Sequence, residues 1–490
     1  MKILCIASEA APYVKTGGLG DVMGALPRAL AGLGHDVRIV LPFYSQINPE
    51  IYRTELLMDR IEIWLPAGGK TVSVWQLHDP KNPIPVYLIK SDELFDRPSL
   101  YDEGGREYAD NPLRFAYFCL SVFWMLKGLQ WFPDIFHCHD WQAGMVPTYL
   151  KNLEVLKNDP DFAHSKTLLT IHNLAYQGAC SPEFLPLIGL PQRLFNLKEL
   201  EFFGKLNLLK GGIVYSDRLS TVSRRYAGEI QTADFGCGLE GILRARSKHL
   251  HGIMNGIDTD VWNPETDPYI PAHYDAENPS GKEACKAELQ SRFGLPVNPH
   301  APVAGIVSRL VEQKGLDLIS ETIHPIIEMG IQFVLLGTGM EKYQRYFRLL
   351  AKNHPSQMYV EIGYNEPAAH FIEAGCDMLL MPSRFEPCGL TQLYSMRYGT
   401  VPIVRQTGGL ADSVENSTKP KILSGEATGF TFVDYTPDAL LGAVKRAEAV
   451  YHDSAEPDLW QHLILNGMSR DHSWHHSAQL YEKLMLEMLK

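Results

Sequence analysis

The stretch Lys15-Thr16-Gly17-Gly18-Leu19-Gly20-Asp21 decides how the start of this 490-residue chain folds. It follows the apolar run 3–7, which is typical of a buried strand, and it precedes 22–33, where apolar residues recur at helical spacing. Glycines let a backbone approach a ligand closely, and the N–H groups at a helix start favour a negative charge. The stretch, with Lys15 beside it, is therefore either a tight turn without a ligand or an anion-binding loop.

This glycine loop lacks the two common nucleotide fingerprints. The third glycine of a dinucleotide-binding G-x-G-x-x-G would fall at Met23, and the acidic residue expected after the second strand is absent. No Gly-Lys-Ser/Thr follows, so the loop is not a P-loop either. The loop can hold a phosphate, but its own residues do not say whose.

Composition and charge exclude several classes of protein. Hydrophobic residues make up 45% of the chain and charged residues 21%, as in ordinary globular proteins. A net charge of −12 argues against a nucleic-acid partner and against a polybasic membrane patch. The eight cysteines are scattered without a C-x-x-C pair, which indicates reduced thiols. No signal peptide or membrane-length apolar run is visible, so we expect a cytoplasmic protein.

Strand-like runs alternate with helical patterns along the whole chain, which predicts α/β architecture with mostly parallel sheets. The predicted strands are 3–7, 37–41, 61–65, 71–77, 86–89, 133–139, 167–171, 219–222, 303–307, 332–336, 358–362, 378–381 and 401–404. A Pro-, Asp- and Asn-rich stretch, 262–296, interrupts this pattern. We therefore predict two Rossmann-like doubly wound domains, 1–258 and 259–474, facing a deep cleft, with a terminal helix over 475–490 packing back on the first.

Two motifs of the second domain carry charge at predicted strand ends. Ser308-Arg309-Leu310 and Gln313-Lys314-Gly315 follow one strand, and their cations can clamp a diphosphate. Taken alone, they are better interpreted as a solvated basic pair at a helix start. The stretch 382–392 follows another strand; Glu386 suits sugar hydroxyls, and the amides of 389–392 suit phosphate. That stretch offers both halves of a nucleotide sugar, against the simpler alternative of a capped helix start.

One motif of the first domain, His137-Cys138-His139-Asp140-Trp141-Gln142, contains three potential metal ligands. A strand sends His137 and Cys138 to opposite faces, so we expect no metal there and interpret His137 as a buried polar residue. Asp140 and Trp141 at a strand end instead resemble a sugar-binding edge, with a carboxylate for hydroxyls and a ring for a pyranose. The pair at 172–173 ends the next strand in the same way.

Seven separated motifs, in order along essentially the whole chain, resemble the family of bacterial glycogen synthases and plant starch synthases. They are 15–21, His139-Asp140-Trp141, 170–178, Asn255-Gly256-Ile257-Asp258, 308–315, the Glu386 stretch and Thr407-Gly408-Gly409-Leu410. The resemblance implies the GT-B fold, with two Rossmann-like domains around a deep cleft. It also implies transfer of glucose from ADP-glucose to the non-reducing end of an α-1,4-glucan such as glycogen, with retention at the anomeric carbon.

The resemblance assigns expected roles residue by residue. The expected catalytic residues are Glu386, Arg309, Lys314, His172, Asp140 and Asp21. The expected substrate-binding residues are Lys15, Gly18, Glu9, Trp141, Asn255, Tyr364, Cys388, Gly389, Leu390 and Thr391. Lys15 and Gly18 would lie at the donor phosphates with Arg309 and Lys314 opposite, and Tyr364 would stack on the adenine. Related GT-B enzymes often carry a second glutamate eight positions after the first, where this chain has Tyr394.

The residues leave the retaining mechanism open. Double displacement needs a carboxylate on the far face of the sugar, for which Asp140 is a candidate by charge only. In a front-face route the departing diphosphate accepts the proton of the incoming hydroxyl, and Arg309, Lys314 and the helix starts stabilise its charge. Neither route calls for a metal or another cofactor, because protein cations fill that role.

Three rival functions fit less well. A nicotinamide oxidoreductase would share the two sheets, but both fingerprint elements are missing. A pyridoxal-phosphate-dependent phosphorylase would need a Schiff-base lysine and is usually much longer. A glucan-binding scaffold would not need Arg309, Lys314 and Glu386 together. The sequence does not indicate the oligomeric state.

Overall fold

The computed structural model describes residues 1–490, which form two compact units. The first unit contains Met1–Gly256 together with Trp474–Lys490, and the second contains Ile257–Ser473. The chain thus leaves the first unit after Gly256 and returns to it at Trp474.

A nine-stranded sheet forms the centre of the first unit, which also holds two small sheets. The strands of the three sheets in the first unit are β1 (Lys2–Ile6), β2 (Asp36–Pro42), β3 (Arg53–Leu65), β4 (Gly68–Asp79), β5 (Asn82–Lys90), β6 (Asp102–Glu103), β7 (Arg106–Glu107), β8 (Ile135–His139), β9 (Lys166–Ile171), β10 (Ala179–Cys180), β11 (Glu201–Phe202), β12 (Lys205–Asn207), β13 (Arg218–Thr221) and β14 (Leu250–Gly252). The large sheet has the order β14-β13-β9-β8-β1-β2-β5-β4-β3. It is parallel from β14 to β5, as the alternating pattern predicts.

The edge of this sheet departs from the parallel pattern. β3 and β4 form an antiparallel hairpin, and β4 pairs antiparallel with β5. Both hairpin strands are longer than the predicted 61–65 and 71–77. The apolar pattern did not show the full length of β3, because much of this strand is exposed and carries polar residues.

The second unit is built on a six-stranded sheet in which every neighbouring pair is parallel. Its strands are β15 (Val303–Val307), β16 (Gln332–Gly337), β17 (Met358–Ile362), β18 (Met378–Met381), β19 (Val401–Arg405) and β20 (Phe430–Phe432). Their order is β17-β16-β15-β18-β19-β20. Five of these strands match the predicted ones closely, while the three-residue β20 was too short to stand out in the sequence.

Helices occupy the connections. They are α1 (Gly18–Gly32), α2 (Asp92–Phe95), α3 (Asn111–Leu129), α4 (Asp140–Ala143), α5 (Met145–Asn152), α6 (Glu154–Lys157), α7 (Phe184–Leu187), α8 (Leu208–Tyr215), α9 (Arg224–Glu229), α10 (Glu240–Ala245), α11 (Gly281–Arg292), α12 (Leu316–Glu328), α13 (Glu341–Asn353), α14 (Glu366–Gly375), α15 (Thr391–Arg397), α16 (Gly408–Ser413), α17 (Lys419–Leu423), α18 (Pro437–Tyr451), α19 (Leu459–Met468) and α20 (Trp474–Met488). Short 3-10 turns lie at Pro160–Phe162, Gln192–Leu194, Ser247–His249 and Glu312–Lys314. No helix is both long and apolar enough to span a membrane.

The terminal helix α20 packs against α1 within the first unit. Ser477 donates a hydrogen bond of 2.5 Å from its hydroxyl to the carbonyl of Met254, and Glu482 lies 2.9 Å from Nε2 of His35. These two contacts attach the end of the chain to the unit in which the chain begins.

Each large sheet has one switch point, where the strand order reverses direction. In the first unit it lies between β1 and β8, and in the second it lies between β15 and β18. Ligands of open parallel sheets bind outside the carboxyl ends of the strands at such points. The two segments of interest, the glycine loop after β1 and the Glu386 stretch after β18, both leave the sheets there.

Candidate active site

Glu9 holds the glycine loop that follows β1. Its carboxylate accepts hydrogen bonds from the N–H groups of Thr16 (2.5 Å) and Gly17 (3.3 Å), and from the hydroxyls of Thr16 (2.8 Å) and Tyr101 (2.5 Å). Glu9 is 4% exposed, and burial raises the pKa of its carboxyl, which these hydrogen bonds partly oppose. The first amides of the loop therefore already hold an internal carboxylate. The amides of Thr16 and Gly17 are therefore not available to a ligand.

Lys15 and Asp21 form an ion pair across the glycine loop. Nζ of Lys15 lies 2.9 Å from Oδ1 of Asp21, and both side chains are about one-quarter exposed, at 24% and 27%. Gly20 makes this approach possible, because a Cβ there would lie 2.4 Å from Cβ of Lys15. Gly18 is exposed and is the first residue of α1, which starts four residues earlier than the apolar spacing predicts.

Asp140 joins the ends of two neighbouring strands. Oδ1 of Asp140 accepts the backbone N–H of His172 at 2.7 Å, and the carboxylate also receives the N–H of Asn173. Asp140 has a left-handed backbone with φ of 55°, a conformation that Asp tolerates better than most residues. Burial raises the pKa of its carboxyl to about 7, the two backbone hydrogen bonds lower it, and the charge of Glu9 raises it.

Trp141 has a packing role that the sequence did not predict. Only 6% of the residue is exposed, and its ring meets Phe115 edge to face at a centroid distance of 4.9 Å. A Cβ at Gly178 would lie 2.5 Å from Cε3 of the indole, so backbone covers the ring there. Phe115 and Gly178 occupy the surroundings in which a pyranose was expected to stack.

The histidines of β8 are fully buried. His137, as expected, is a buried polar residue, whose Nε2 lies 2.7 Å from the hydroxyl of Thr170. The expectation that no metal binds here was based on the residues of β8 alone. Pairing of β1 with β8 places Cys5 beside His137 as a further possible ligand. Possible ligand atoms of Cys5, His137 and His139 lie within 4.8 Å of one another. Whether activity depends on a metal ion can be tested by removing divalent ions with a chelator.

Asn255 follows β14 at the same end of the sheet. It is 6% exposed, and its Oδ1 is buried without a hydrogen-bond partner. Buried acceptors without a partner are uncommon in folded proteins, because they lose their hydration and gain nothing in return. The residue thus offers an acceptor to a hydroxyl.

In the second unit, Lys314 and Glu386 form a close ion pair beside the switch point. Nζ of Lys314 lies 2.6 Å from Oε2 of Glu386, which also accepts a hydrogen bond of 2.9 Å from the hydroxyl of Ser383. The side chains of Lys314 and Glu386 are only 18% and 7% exposed. Both contacts go to one carboxylate oxygen, so Oε1 of Glu386 is the oxygen that no group of the protein engages.

Backbone amides without a protein acceptor follow Glu386 along the chain. The N–H groups of Gly389, Leu390 and Thr391, at the start of α15, have no protein acceptor. Cys388 is buried, and its carbonyl accepts a hydrogen bond of 3.1 Å from the amide of Gln392, as does the carbonyl of Gly389. Gln392 thereby orders the turn whose amides stay available to an anion.

Two glycines from other motifs pack closely against the backbone of this turn. At Gly315, with φ of 72°, a Cβ would lie 2.1 Å from the carbonyl of Pro382. At Gly408, with φ of 45°, a Cβ would lie 2.0 Å from the carbonyl of Glu386. Both positions require glycine, since a side chain would push the Glu386 turn away.

Arg309 and Tyr364 are exposed residues of the predicted set in the second unit. Arg309 follows β15, and Tyr364 follows β17 and is 73% exposed, with its hydroxyl 3.0 Å from Oε2 of Glu366. Tyr394, where related enzymes often have a second glutamate, stacks on Trp262 with ring centroids 3.8 Å apart and planes at 10°. A packed ring therefore occupies that position.

Sequence reasoning missed four residues that hold the predicted ones. Thr16 and Tyr101 bind Glu9, Ser383 binds Glu386, and His139 contacts His172. Thr16, Ser383 and His139 lie inside the quoted motifs, but nothing in their spacing distinguishes them. Tyr101 lies in a segment without a clear pattern and could not be found from the sequence.

The chain matches two known families along most of its length. Residues 2–245 match the family described as "Starch synthase catalytic domain", and residues 288–456 match "Glycosyl transferases group 1". Glycogen synthase of Anaeromyxobacter dehalogenans (strain 2CP-1) is 45% identical over 485 residues, which cover 99% of this chain and 98% of that protein. Glycogen synthase 2 of Geobacter sulfurreducens is 46% identical, with the same coverage.

Solved structures agree with these matches. The catalytic domain of starch synthase IV from Arabidopsis thaliana, bound to ADP and acarbose, superposes with a TM-score of 0.92 at 36% identity, covering 100% of this chain and 99% of that one. Sucrose-phosphate synthase from Thermosynechococcus elongatus has a TM-score of 0.61 at 17% identity and covers 99% of both chains, which shows a shared GT-B fold. The chain therefore belongs to the glycogen and starch synthase family of GT-B glycosyltransferases.

Proposed function

We propose that the chain transfers glucose from ADP-glucose to the non-reducing end of an α-1,4-glucan with retention of configuration. The observation that carries this proposal is the grouping of Lys314, Glu386 and Ser383 with the open amides of 389–391. A carboxylate oxygen for sugar hydroxyls thus lies next to a cation and to N–H groups for a diphosphate. ADP in the structure of the Arabidopsis relative supports an adenine nucleotide as the leaving group.

For the donor, we assign the diphosphate to Arg309, Lys314 and the amides of Gly389 to Thr391. Glu386 binds the transferred glucose through Oε1, and exposed Tyr364 stacks on the adenine. The cations stabilise the charge that grows on the departing diphosphate. Lys15 and Gly18 are further candidate ligands of the donor phosphates.

For the reacting sugar and the acceptor, we assign Asp21, His172 and Asn255. His172 is only partly buried, and the unpartnered Oδ1 of Asn255 accepts a sugar hydroxyl. Glu9 acts indirectly by holding the glycine loop, and Trp141 acts indirectly by packing at the end of β8. The acceptor is an α-1,4-glucan such as glycogen or a malto-oligosaccharide.

We favour the front-face route over double displacement. Asp140 is the carboxylate considered as a nucleophile, yet it accepts two backbone N–H groups and its pKa is raised to about 7. A carboxyl that is about half protonated at neutral pH, and occupied by amides, is a poor nucleophile. In the front-face route the diphosphate oxygen takes the proton of the incoming hydroxyl, so no protein nucleophile is required.

The test uses radiolabelled ADP-glucose or UDP-glucose with glycogen. We expect label in the polymer from ADP-glucose, and its release by a hydrolase specific for α-1,4 bonds. No incorporation from either donor would refute the transferase assignment, and incorporation from UDP-glucose alone would refute the ADP-glucose assignment. A parallel reaction with a chelator should proceed at the same rate, and loss of activity there would show that a metal is needed.

A further inference from the structure

His139 is a fully buried histidine with one hydrogen bond. It ends β8, directly before Asp140, and its Nδ1 lies 2.9 Å from Nε2 of His172. The other nitrogen of His139, Nε2, is buried and has no hydrogen-bond partner. Contact between two imidazole nitrogens requires that one donates and the other accepts, so the protonation of both rings is linked.

The unpartnered nitrogen decides which ring donates. If His172 donated from Nε2, then Nδ1 of His139 would be the acceptor and its proton would sit on Nε2. That would bury an N–H group without an acceptor, which costs the full desolvation of a donor. If His139 donates from Nδ1, only a lone pair on Nε2 remains without a partner, and this is the less costly arrangement.

From this geometry we propose that His139 is a positioning residue that holds His172 in the tautomer protonated at Nδ1. His172, which is partly exposed, then accepts at Nε2 and carries its proton on Nδ1 as a donor. A fixed donor there suits a sugar hydroxyl or a diphosphate oxygen, both of which accept hydrogen bonds. The assignment of that ligand rests on the proposed function, whereas the tautomer does not.

The surroundings of His139 hold its ring in place and keep it neutral. The ring of His137 lies at a centroid distance of 4.1 Å, and His137 is itself bound to the hydroxyl of Thr170. Burial lowers the pKa of His139 well below its usual range and lowers that of His172 to about 3. Burial thus disfavours the charged form of both rings, and the 2.9 Å contact between two ring nitrogens needs one donor and one acceptor.

The direct test is ¹⁵N NMR of the full chain labelled at its histidine nitrogens, with His172→Gln to assign the His172 signals by difference. We expect a protonated-type Nδ1 and an unprotonated-type Nε2 for His172. The reverse pattern, or averaged shifts for both nitrogens, would overturn the proposal. This reading does not depend on the substrate, so a failed glucose-transfer assay would leave the tautomer assignment standing.

Two substitutions of equal size separate positioning from simple packing. In His139→Asn the amide nitrogen can donate from the place of Nδ1, whereas in His139→Asp an oxygen there accepts and favours the opposite tautomer of His172. We expect kcat within about threefold of the parent for Asn and a loss of about 10–100-fold for Asp, as for groups that orient metal-ligating histidines. The KM for ADP-glucose should change less than threefold in both.

Thermal unfolding shows whether each variant is folded. Equal activity of folded His139→Asn and His139→Asp would contradict the proposal, because a packing role does not distinguish a donor from an acceptor. If the Asp variant does not fold, the NMR tautomer of the parent protein still decides the question.

Discussion

The two units hold their buried carboxylates in different ways. In the first unit, Glu9 and Asp140 accept hydrogen bonds from backbone N–H groups, with added hydroxyls at Glu9. In the second unit, Glu386 is held by the ammonium group of Lys314 and the hydroxyl of Ser383. The hydrogen bonds to Glu9 and Asp140 fix a loop and a strand end, whereas Lys314 and Glu386 form a largely buried ion pair at a switch point.

This difference has an electrostatic consequence. Neutral donors offset only part of the cost of burying a charge, and burial still raises the pKa values of Glu9 and Asp140. An ion pair such as Lys314–Glu386 meets part of that cost with a counter-charge. A sugar diphosphate carries both hydroxyls and negative charge, so it can take over the partners of Lys314 and Glu386, whereas it has nothing to exchange with amide-bound Glu9.

Lys314→Ala should have the largest effect. The substitution removes a cation from the departing diphosphate, so we expect kcat with ADP-glucose to fall by about 10²–10³-fold while the chain remains folded. Steady-state kinetics and circular dichroism measure the two quantities. Lys342→Ala is the matched control, because Lys342 is an exposed lysine paired with Glu312 on the surface, and it should keep near-normal turnover. Near-normal turnover of Lys314→Ala would remove Lys314 from the mechanism.

Glu9→Gln should have the next largest effect. One of the donors that converge on Glu9 would face the NH₂ group of glutamine, so we expect a loss of about 1–3 kcal/mol in the free energy of unfolding. Activity should fall too, because the glycine loop loses its anchor. Chemical denaturation measures the loss, and Tyr101→Phe, which deletes one donor, should cost less. A Glu9→Gln protein as stable as the parent would show that the loop does not depend on this carboxylate.

Asp140→Asn tests the raised pKa. Between about pH 4 and 7 the unfolded chain has lost the Asp140 proton and the folded chain still holds it, so stability falls as pH rises, by at most about 1.4 kcal/mol per pH unit for one group. Asparagine keeps the acceptor for the His172 amide and cannot titrate. Denaturation at several pH values should therefore show a shallower fall for the variant. Identical pH profiles would place the pKa of Asp140 near its ordinary value.

Lys15→Ala should have the smallest effect on stability. The Lys15–Asp21 pair is about one-quarter exposed, and such pairs contribute about 0–1 kcal/mol. We expect an unchanged unfolding midpoint together with a raised KM for ADP-glucose, which would separate binding from folding. An unchanged KM would remove Lys15 from the donor site.

Much of the site could be predicted because local motifs carry it. The residues after β1, β8, β15 and β18 follow apolar runs, and the carboxyl ends of parallel strands are where ligands bind. Gly315 and Gly408 lie in quoted motifs, and the structure explains them by contacts with the carbonyls of Pro382 and Glu386.

Other features were not predictable, because they depend on residues far apart in the chain. Tyr101 reaches Glu9 across 92 positions, and the contact between His139 and His172 spans 33. The sequence order does not show that Phe115 and Gly178 cover the ring of Trp141. Hydrogen bonds and packing of this kind leave no periodic pattern.

By itself, the sequence determined the α/β class, the positions of most parallel strands, and the cationic and glycine motifs, because each depends on neighbouring residues and on backbone conformation. Only the tertiary structure decided which partner each functional group has: amides for Glu9, Lys314 for Glu386 and His139 for His172. A partner fixes the charge, tautomer and orientation of a group. For Glu386 and His172 those properties arise only when segments that are 72 and 33 positions apart come together in the fold.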